Sequence, residues 1–156
     1  MHGGKEGMAE DTEKVVDLNS AYRHKVDAKG RMSLPASFRK VLSTDLVVTR
    51  NPKDECLYVF EPQAFNDWVA GVFEDKFGKF DRTNDLHVSL RRKLKSRAAD
   101  VSIDASGRIM LSADQRLAVG IDKDVVVVGN TGYFEIWDAK RYDRVDEDTD
   151  LSLLFG

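Results

Sequence analysis

The sequence predicts an α+β fold that is mainly β, built from two β-α-β repeats around one shared core. The first observation is an internal repeat, because residues 27–34 (DAKGRMSL) return 77 positions later as residues 104–111 (DASGRIML). The second is that apolar residues alternate after each motif, as in a strand with one buried face. The third is that each repeat spans about 45 residues, too few to bury a sufficient core alone. We therefore expect the two sheets to pair face to face, in a barrel-like core with approximate two-fold symmetry.

The similarity between the copies extends beyond the motif. Residues 57–61 (LYVFE) correspond to residues 134–138 (FEIWD) at the same shift. The apolar runs 46–49 and 125–128 are 79 positions apart, which indicates a two-residue insertion near Gly120 in the second copy. Each copy is predicted to contain two strands around an Asp-x-x-Gly turn, a short helix and two further strands. Ser112 and Gln115 have the spacing of a capping box, and Pro35 suits the first turn of the equivalent helix.

Two longer helices are predicted to join the repeats. The first starts at Pro62, and its apolar stripe is Phe65, Trp68, Val69, Val72 and Phe73. The second has an apolar residue every four positions, at Leu86, Leu90, Leu94 and Ala98. We interpret both stripes as core or subunit contacts. The predicted organisation is an acidic N-terminal extension (1–20), a first repeat (21–65), linking helices (66–98), a second repeat (99–145) and a C-terminal tail (146–156).

The distribution of charge is more informative than the net charge of −3. Residues 22–50 carry seven Lys/Arg and two Asp, and residues 91–108 carry six Lys/Arg and two Asp. Both chain ends are acidic. Local charge decides whether phosphates are attracted, because screening acts over a Debye length of about 8–10 Å. The basic segments favour an anionic partner, although cations that only solvate exposed faces would give the same pattern.

Composition argues against several classes of protein. Cys56 is the only cysteine, and the three histidines (His2, His24 and His87) have no metal-ligand spacing, so we expect no metal site, no disulfide and no cofactor. No phosphate-binding glycine loop or nucleophile motif is present, and we therefore predict neither an enzyme nor a small-molecule substrate. No apolar run approaches the length of a membrane span and no export signal is visible, which favours a cytoplasmic location.

The Asp-x-x-Gly-Arg turns carry the candidate site. Gly30 and Gly107 are expected at positive φ, with Asp27 and Asp104 accepting backbone hydrogen bonds inside each turn. Each following arginine, Arg31 or Arg108, alternates with buried apolar positions, so its side chain should leave the core. The guanidinium is then either paired with the loop aspartate or free to bind a partner. Arginine can bind the O6/N7 edge of guanine in bidentate fashion, or a phosphate.

The doubled motif, with a helix and an aromatic strand after each copy, resembles the MraZ family over roughly residues 22–144. The resemblance implies a double AbrB-like, swapped-hairpin fold, a double-split β-barrel. It implies a homo-oligomeric ring of about eight copies. It also implies a transcriptional regulator, generally a repressor, that binds short G-containing direct repeats in double-stranded DNA upstream of the division and cell-wall genes. Such a protein would be associated with the nucleoid.

Carried over by residue, the DNA-binding loop positions of that family fall on Arg31 and Arg108, with Lys29, Gly30 and Gly107 beside them. Arg39, Arg91 and Arg92 are weaker candidates, for phosphate contacts. The acidic extension before Tyr22 and the short acidic tail depart from the family pattern. An alternative from another class remains, an antitoxin-like or ring-forming module in which the basic loops bind acidic proteins.

Overall fold

The computed structural model describes residues 15–156. Most of the predicted N-terminal extension, with His2, lies outside the described residues. Within them the chain forms eight strands and six helices, which are β1 (Ala21–Lys25), β2 (Arg31–Ser33), α1 (Ala36–Arg39), β3 (Asp45–Arg50), β4 (Leu57–Phe60), α2 (Pro62–Phe77), α3 (Asp85–Ser96), β5 (Ala99–Ser102), β6 (Arg108–Met110), α4 (Ala113–Ala118), β7 (Asp124–Gly129), β8 (Phe134–Asp138), α5 (Ala139–Asp148) and α6 (Ser152–Phe155). The predicted α+β class is confirmed.

The strands of the two repeats interleave. One antiparallel sheet has the order β1-β7-β8-β4-β3-β5, and β2 pairs with β6 in a separate two-stranded ribbon. The first strand of each repeat therefore pairs with the third strand of the other, β1 with β7 and β5 with β3. This exchange is the swapped-hairpin arrangement with two-fold pseudosymmetry. The expected face-to-face pairing of one sheet per repeat is wrong, because six strands from the two repeats belong to a single sheet.

The main core lies between the six-stranded sheet and the β2–β6 ribbon. Met32 and Ile109 point into it from the ribbon, and both are 1% exposed. Phe38 of α1 contacts Phe134 of β8, with ring centroids 5.4 Å apart, so the short helix of one repeat packs on a strand of the other. Cys56 is fully buried, as expected of a small core residue. Because both repeats supply this core, neither has a complete core of its own.

The opposite face of the sheet carries a helical layer. Phe65, Val69 and Phe73 of α2 pack on Val47 and Phe60, residues that alternate with those facing the main core. Leu94 and Ala98 are among the partly buried residues that pack against this second cluster. The two ends of the leucine stripe differ, since Leu86 and Leu90 are 59% and 40% exposed. Only the C-terminal end of the predicted leucine stripe therefore packs against the core.

The two-fold pseudosymmetry also includes a helix after β8, which the sequence did not predict. Helix α2 begins at Pro62, directly after β4, and helix α5 begins at Ala139, directly after β8. These starts are 77 positions apart, the repeat spacing. The side chain of Asp138 caps α5 by accepting a hydrogen bond from the Arg141 N–H at 3.3 Å. The tail predicted from residue 146 thus includes the last turn of a helix.

Part of the predicted N-terminal extension is integral to the fold. Leu18 is 5% exposed and belongs to the main core. Its backbone N–H donates to the carbonyl of Asn130 at 3.1 Å, beside an isolated bridge between Asp17 and Thr131. Gly129 lies against this segment so closely that a Cβ there would overlap the Leu18 backbone. The chain therefore joins the edge of the sheet several residues before β1.

The predicted capping box forms only in part. Ser112 Oγ accepts from the Gln115 N–H at 3.1 Å, as a capping serine should. The Gln115 side chain does not reach back to Ser112; its Nε2 donates instead to the carbonyl of Val48 at 2.9 Å, across the core. Gln115 is 7% exposed, so burial against β3 decides the partner of its amide.

Candidate nucleic-acid interface

Two loops of the same construction join β1 to β2 and β5 to β6. The Asp27 carboxylate accepts hydrogen bonds from the backbone N–H groups of Lys29 (3.0 Å) and Arg31 (2.9 Å). The Asp104 carboxylate accepts from the N–H groups at positions 106 and 108, both at 2.9 Å. The predicted role of the two aspartates in holding the turns is confirmed.

Each loop is also tied to the other repeat. Gly30 and Gly107 have φ of +92° and +79°, the positive values predicted from the turn. The Gly30 carbonyl accepts from the Leu111 N–H at 2.8 Å, and the Gly107 carbonyl accepts from the Leu34 N–H at 3.0 Å. Both glycines are buried. The loop glycines are therefore junctions between the repeats, and they do not form an exposed tip.

The loop arginines are turned toward their own aspartates. Arg31 Nε donates to Asp27 Oδ2 at 2.7 Å, and Arg108 Nε lies 3.4 Å from Asp104 Oδ2. The structure thus shows the internal Asp–Arg pair that the sequence left open, and fully free guanidinium groups are not observed. Each arginine side chain is still 35% exposed. Among residues 15–156, the Nη atoms of neither arginine form a hydrogen bond.

Both arginines lie on one surface, which we call the ribbon face and define by Arg31, Ser33, Arg108 and Met110. The ribbon register pairs Arg31 with Met110 and Ser33 with Arg108. Residues directly opposite each other in a strand pair point to the same side. Because Met32 and Ile109 occupy the core side, the four residues of the ribbon face point away from it. Arg31 and Arg108 also line one shallow recess of about 420 Å³, together with Lys25 and Lys123.

Two further arginines lie over the loops from the short helices. The Arg39 side chain, at the end of α1, covers Gly107, and the Arg116 side chain of α4 covers Gly30. Arg116 Nε also donates to the Leu111 carbonyl at 3.2 Å. Arg39 was a sequence candidate, whereas Arg116 was missed. The 77-residue shift relates these two positions and would have found it.

The remaining sequence candidates are divided between two sides of the sheet. Lys29 is exposed within the first loop. Arg91 and Arg92 lie on α3, in the helical layer across the sheet from the ribbon. The Arg91 guanidinium carbon lies 3.7 Å from the centroid of the Phe80 ring, a cation–π contact. The structure therefore does not bring Arg91 and Arg92 together with the Gly-Arg loops.

The loop carboxylates are stabilised in their charged form. The backbone hydrogen bond from Arg31 holds the pKa of Asp27 below its ordinary value of 3.8, and the backbone hydrogen bond from Arg108 lowers the pKa of Asp104 in the same way. A carboxyl with a lowered pKa in the folded state favours folding above the unfolded pKa, and this contribution disappears as the pH falls through the folded pKa.

We expect the loop aspartates to contribute to acid sensitivity. The double variant Asp27→Asn, Asp104→Asn keeps an oxygen acceptor in each turn but cannot titrate. Its unfolding midpoint in urea should fall less than that of the natural protein when the pH is lowered from about 5 to about 2.5. Equal losses in the two proteins would show that these carboxyl groups do not couple to folding.

The sequence profile described as "MraZ protein, putative antitoxin-like" matches residues 18–86 and 94–153. The chain belongs to the MraZ family. Similar proteins include three named transcriptional regulator MraZ. The one from Natranaerobius thermophilus is 33% identical, with 84% of this chain and 87% of that protein covered. The one from Lachnoclostridium phytofermentans is 35% identical, with 86% and 94% covered. The one from Saccharopolyspora erythraea is 37% identical, with 76% and 78% covered.

The match to the MraZ family follows the structural repeats. Its first part contains β1 to β4 with the first loop, and its second part contains β5 to β8 with the second loop. The interruption at residues 87–93 falls within α3 and includes Arg91 and Arg92. The two Gly-Arg loops are thus inside the family match, and the two helical arginines are outside it.

The described part of the chain contains neither a metal-binding cluster nor a membrane-spanning helix. Within residues 15–156, no group of three or more His, Cys, Asp or Glu side chains is placed to hold a metal ion. None of the helices in the same range is long and apolar enough to span a membrane.

Proposed function

We propose that this protein is a sequence-specific, double-stranded DNA-binding transcriptional regulator that contacts DNA through the ribbon face and its two loops. The observation that carries the proposal is the position of Arg31 and Arg108, equivalent residues of two repeats on one exposed surface. Relatives named transcriptional regulator MraZ support this class of function over an enzyme. The proposed targets are short G-containing direct repeats upstream of the division and cell-wall genes. The protein would act there as a repressor, associated with the nucleoid in the cytoplasm.

The aspartate pairing fits a role in orienting the base contact. The pair with aspartate occupies the Nε side of each guanidinium. The Nη groups stay available to donate hydrogen bonds to the O6 and N7 atoms of guanine. A guanidinium fixed on one edge loses less rotamer entropy when its other edge binds. Exposed ion pairs are worth only about 0–1 kcal/mol, so the aspartate does not hold the arginine against a better partner.

Arg39, Arg116 and Lys29 are proposed to contact phosphates. They flank the ribbon face, from the ends of the two short helices and from the first loop. Phosphate contacts position a protein on the duplex and make binding salt-dependent, whereas contacts to base edges select the sequence. The ribbon face would then supply selectivity, and these flanking cations would supply much of the affinity.

We expect Arg39→Ala and Arg116→Ala each to weaken binding to all DNA sequences by a similar factor. Each lost phosphate contact should reduce the slope of log affinity against log salt by about 0.9. Titrations by fluorescence anisotropy at several salt concentrations measure this slope. A variant that loses affinity only for the operator, with the slope unchanged, would assign that arginine to the bases instead.

An assembly would multiply these contacts. We propose a homo-oligomeric ring of about eight copies, in which adjacent protomers present their ribbon faces to successive boxes of a direct repeat. Linked copies raise the effective concentration of each further contact, so several boxes should bind far more tightly than one.

The test of the proposed function is selection of bound genomic DNA fragments at a stated salt concentration, near physiological. The expected result is enrichment of a promoter region that contains repeated G-containing boxes. Anisotropy titrations should then show tighter binding to three boxes than to one box of equal length. Recovery of DNA with no common sequence would contradict sequence-specific regulation.

A second candidate is an antitoxin-like or ring-forming protein-interaction module. The description of the matching profile favours it. In that case selection would recover no specific DNA, and mutation of the ribbon face would weaken binding to an acidic protein.

A further inference from the structure

The C-terminal segment, defined here as residues 146–155, is an apolar surface without a partner inside the protomer. Its four large apolar side chains are between 67% and 84% exposed, and they are Leu151, Leu153, Leu154 and Phe155. None of them belongs to either hydrophobic cluster. The segment also carries four carboxylates, at positions 146, 147, 148 and 150. Contiguous exposed apolar groups of this kind indicate a contact with another molecule.

The helical layer contains a cleft of complementary character, which we call the α2–α3 groove. It has a volume of about 380 Å³ and is lined by Asn66, Val69, Ala70, Phe73, Phe80, Arg91 and Lys95. The same two helices leave further large apolar side chains open to solvent, including Leu86 and Leu90. The groove therefore has an apolar floor, and the two helices that form it carry further exposed apolar side chains.

The cations of the groove lack acidic partners. Arg91 lies on the Phe80 ring, and Lys95 Nζ donates to Asn66 Oδ1 at 3.0 Å. Within residues 15–156 neither cation is in an ion pair. Residues 91–95 contain four Lys/Arg in all. An acidic segment placed along this rim would supply the missing opposite charge.

We propose that the C-terminal segment of one copy binds in the α2–α3 groove of a second copy. This inference rests on the proposed homo-oligomer and names its contact. The segment is exposed and does not cover the groove of its own chain, which points to a second copy as the occupant. A contact between two different surfaces is heterologous, and repetition of it closes a ring when the rotation allows.

Charge argues against the other surfaces of the chain. A larger cleft of about 750 Å³ lies beside Trp68 and Tyr133, but Glu61 and Asp67 line it and would repel an acidic segment. The ribbon face is basic but is not a deep apolar groove. The α2–α3 groove combines an apolar floor with unpaired cations, and both features match the segment.

Cross-linking between two variants, each with one added cysteine, tests the contact directly. Ala70→Cys places a thiol in the groove and Leu154→Cys places one on the segment, while the native Cys56 is buried and should stay silent. A mixture of the two variants under mild oxidation should give a disulfide-linked pair, since a disulfide needs Cβ atoms about 3.5–4.5 Å apart. The matched control mixes Leu154→Cys with Val41→Cys, an apolar position 55% exposed on another surface. Absence of the first pair, or equal yields from both mixtures, overturns the proposal.

Charge reversal provides an independent readout, the molar mass by light scattering. Arg91→Glu with Lys95→Glu should reduce the assembly toward the protomer mass of 17.6 kDa. Adding Asp146→Lys and Asp148→Lys to the same chain should restore the larger mass, which a misfolded protein could not do. An unchanged mass after the first reversal overturns the proposed contact. A natural protein that is monomeric in solution would also overturn the proposed contact. Selection of bound DNA would still test the regulatory function separately.

Discussion

The double variant Arg31→Ala, Arg108→Ala is expected to lose operator affinity by on the order of a hundredfold or more. A bidentate arginine–guanine contact is worth about 1–3 kcal/mol of discrimination, and the variant removes two equivalent contacts from every protomer. The loss should be confined to specific DNA, because the flanking cations remain. Anisotropy titrations with operator and with scrambled DNA measure both affinities.

Two controls separate a base contact from charge and from folding. Arg144→Ala removes one positive charge, against two in the double variant, from an exposed position on α5 and should leave affinity unchanged. Arg31→Lys keeps the charge but cannot form the bidentate contact, so it should lose specificity while retaining the salt slope. The double alanine variant should remain folded, since each lost ion pair is exposed. If the double alanine variant binds the operator as tightly as the natural protein, the proposed role of the ribbon face in DNA binding is wrong.

Gly30→Ala is expected to be the most destabilising single change in either loop, lowering the free energy of unfolding by about 2–5 kcal/mol. A Cβ at this position would overlap the carbonyl oxygen of Leu111, which belongs to the backbone of the other repeat. The φ of +92° adds strain, because side chains disfavour that region. Urea denaturation followed by circular dichroism measures the loss.

The equivalent glycine and a helical glycine are the matched controls. At Gly107 the added Cβ would meet the side chain of Arg39, which can move, so Gly107→Ala should cost only about 1–2 kcal/mol from its backbone strain. Gly71 lies inside α2 with no atom within 4 Å of an added Cβ, and Gly71→Ala should stabilise by up to about 1 kcal/mol. Equal destabilisation at positions 30 and 107 would contradict the role of the Leu111 contact.

Local patterns in the sequence predicted most of the elements. The strands observed at Asp45–Arg50 and Asp124–Gly129 start 79 residues apart, as the two-residue insertion required. Alternation placed Met32 and Ile109 in the core, and turn chemistry predicted the positive φ of both loop glycines. Helix α5 was missed because it is highly polar and has no buried residue, so it lacks the apolar stripe by which a helix is identified.

Partners across the two repeats required the structure. The pairing of β1 with β7 cannot be inferred from the residue pattern of either strand. A strand with one apolar face can pair with any neighbour whose apolar residues point to the same side of the sheet. The amide of Gln115 found its acceptor on β3, 67 residues away, where a capping box would have kept it local. The loop arginines were assigned to the outer face, but sequence alternation could not decide between a free guanidinium and the observed pair with aspartate.

By itself the sequence determined the duplicated unit, its turns, and the basic residues that follow the loop glycines. Only the tertiary structure decided which of the basic residues share a surface. It placed Arg116 over the first loop and left Arg91 on the far side of the sheet, although both residues lie on helices. The physical reason is that periodicity records whether a side chain faces the core, whereas proximity depends on contacts between segments distant in sequence.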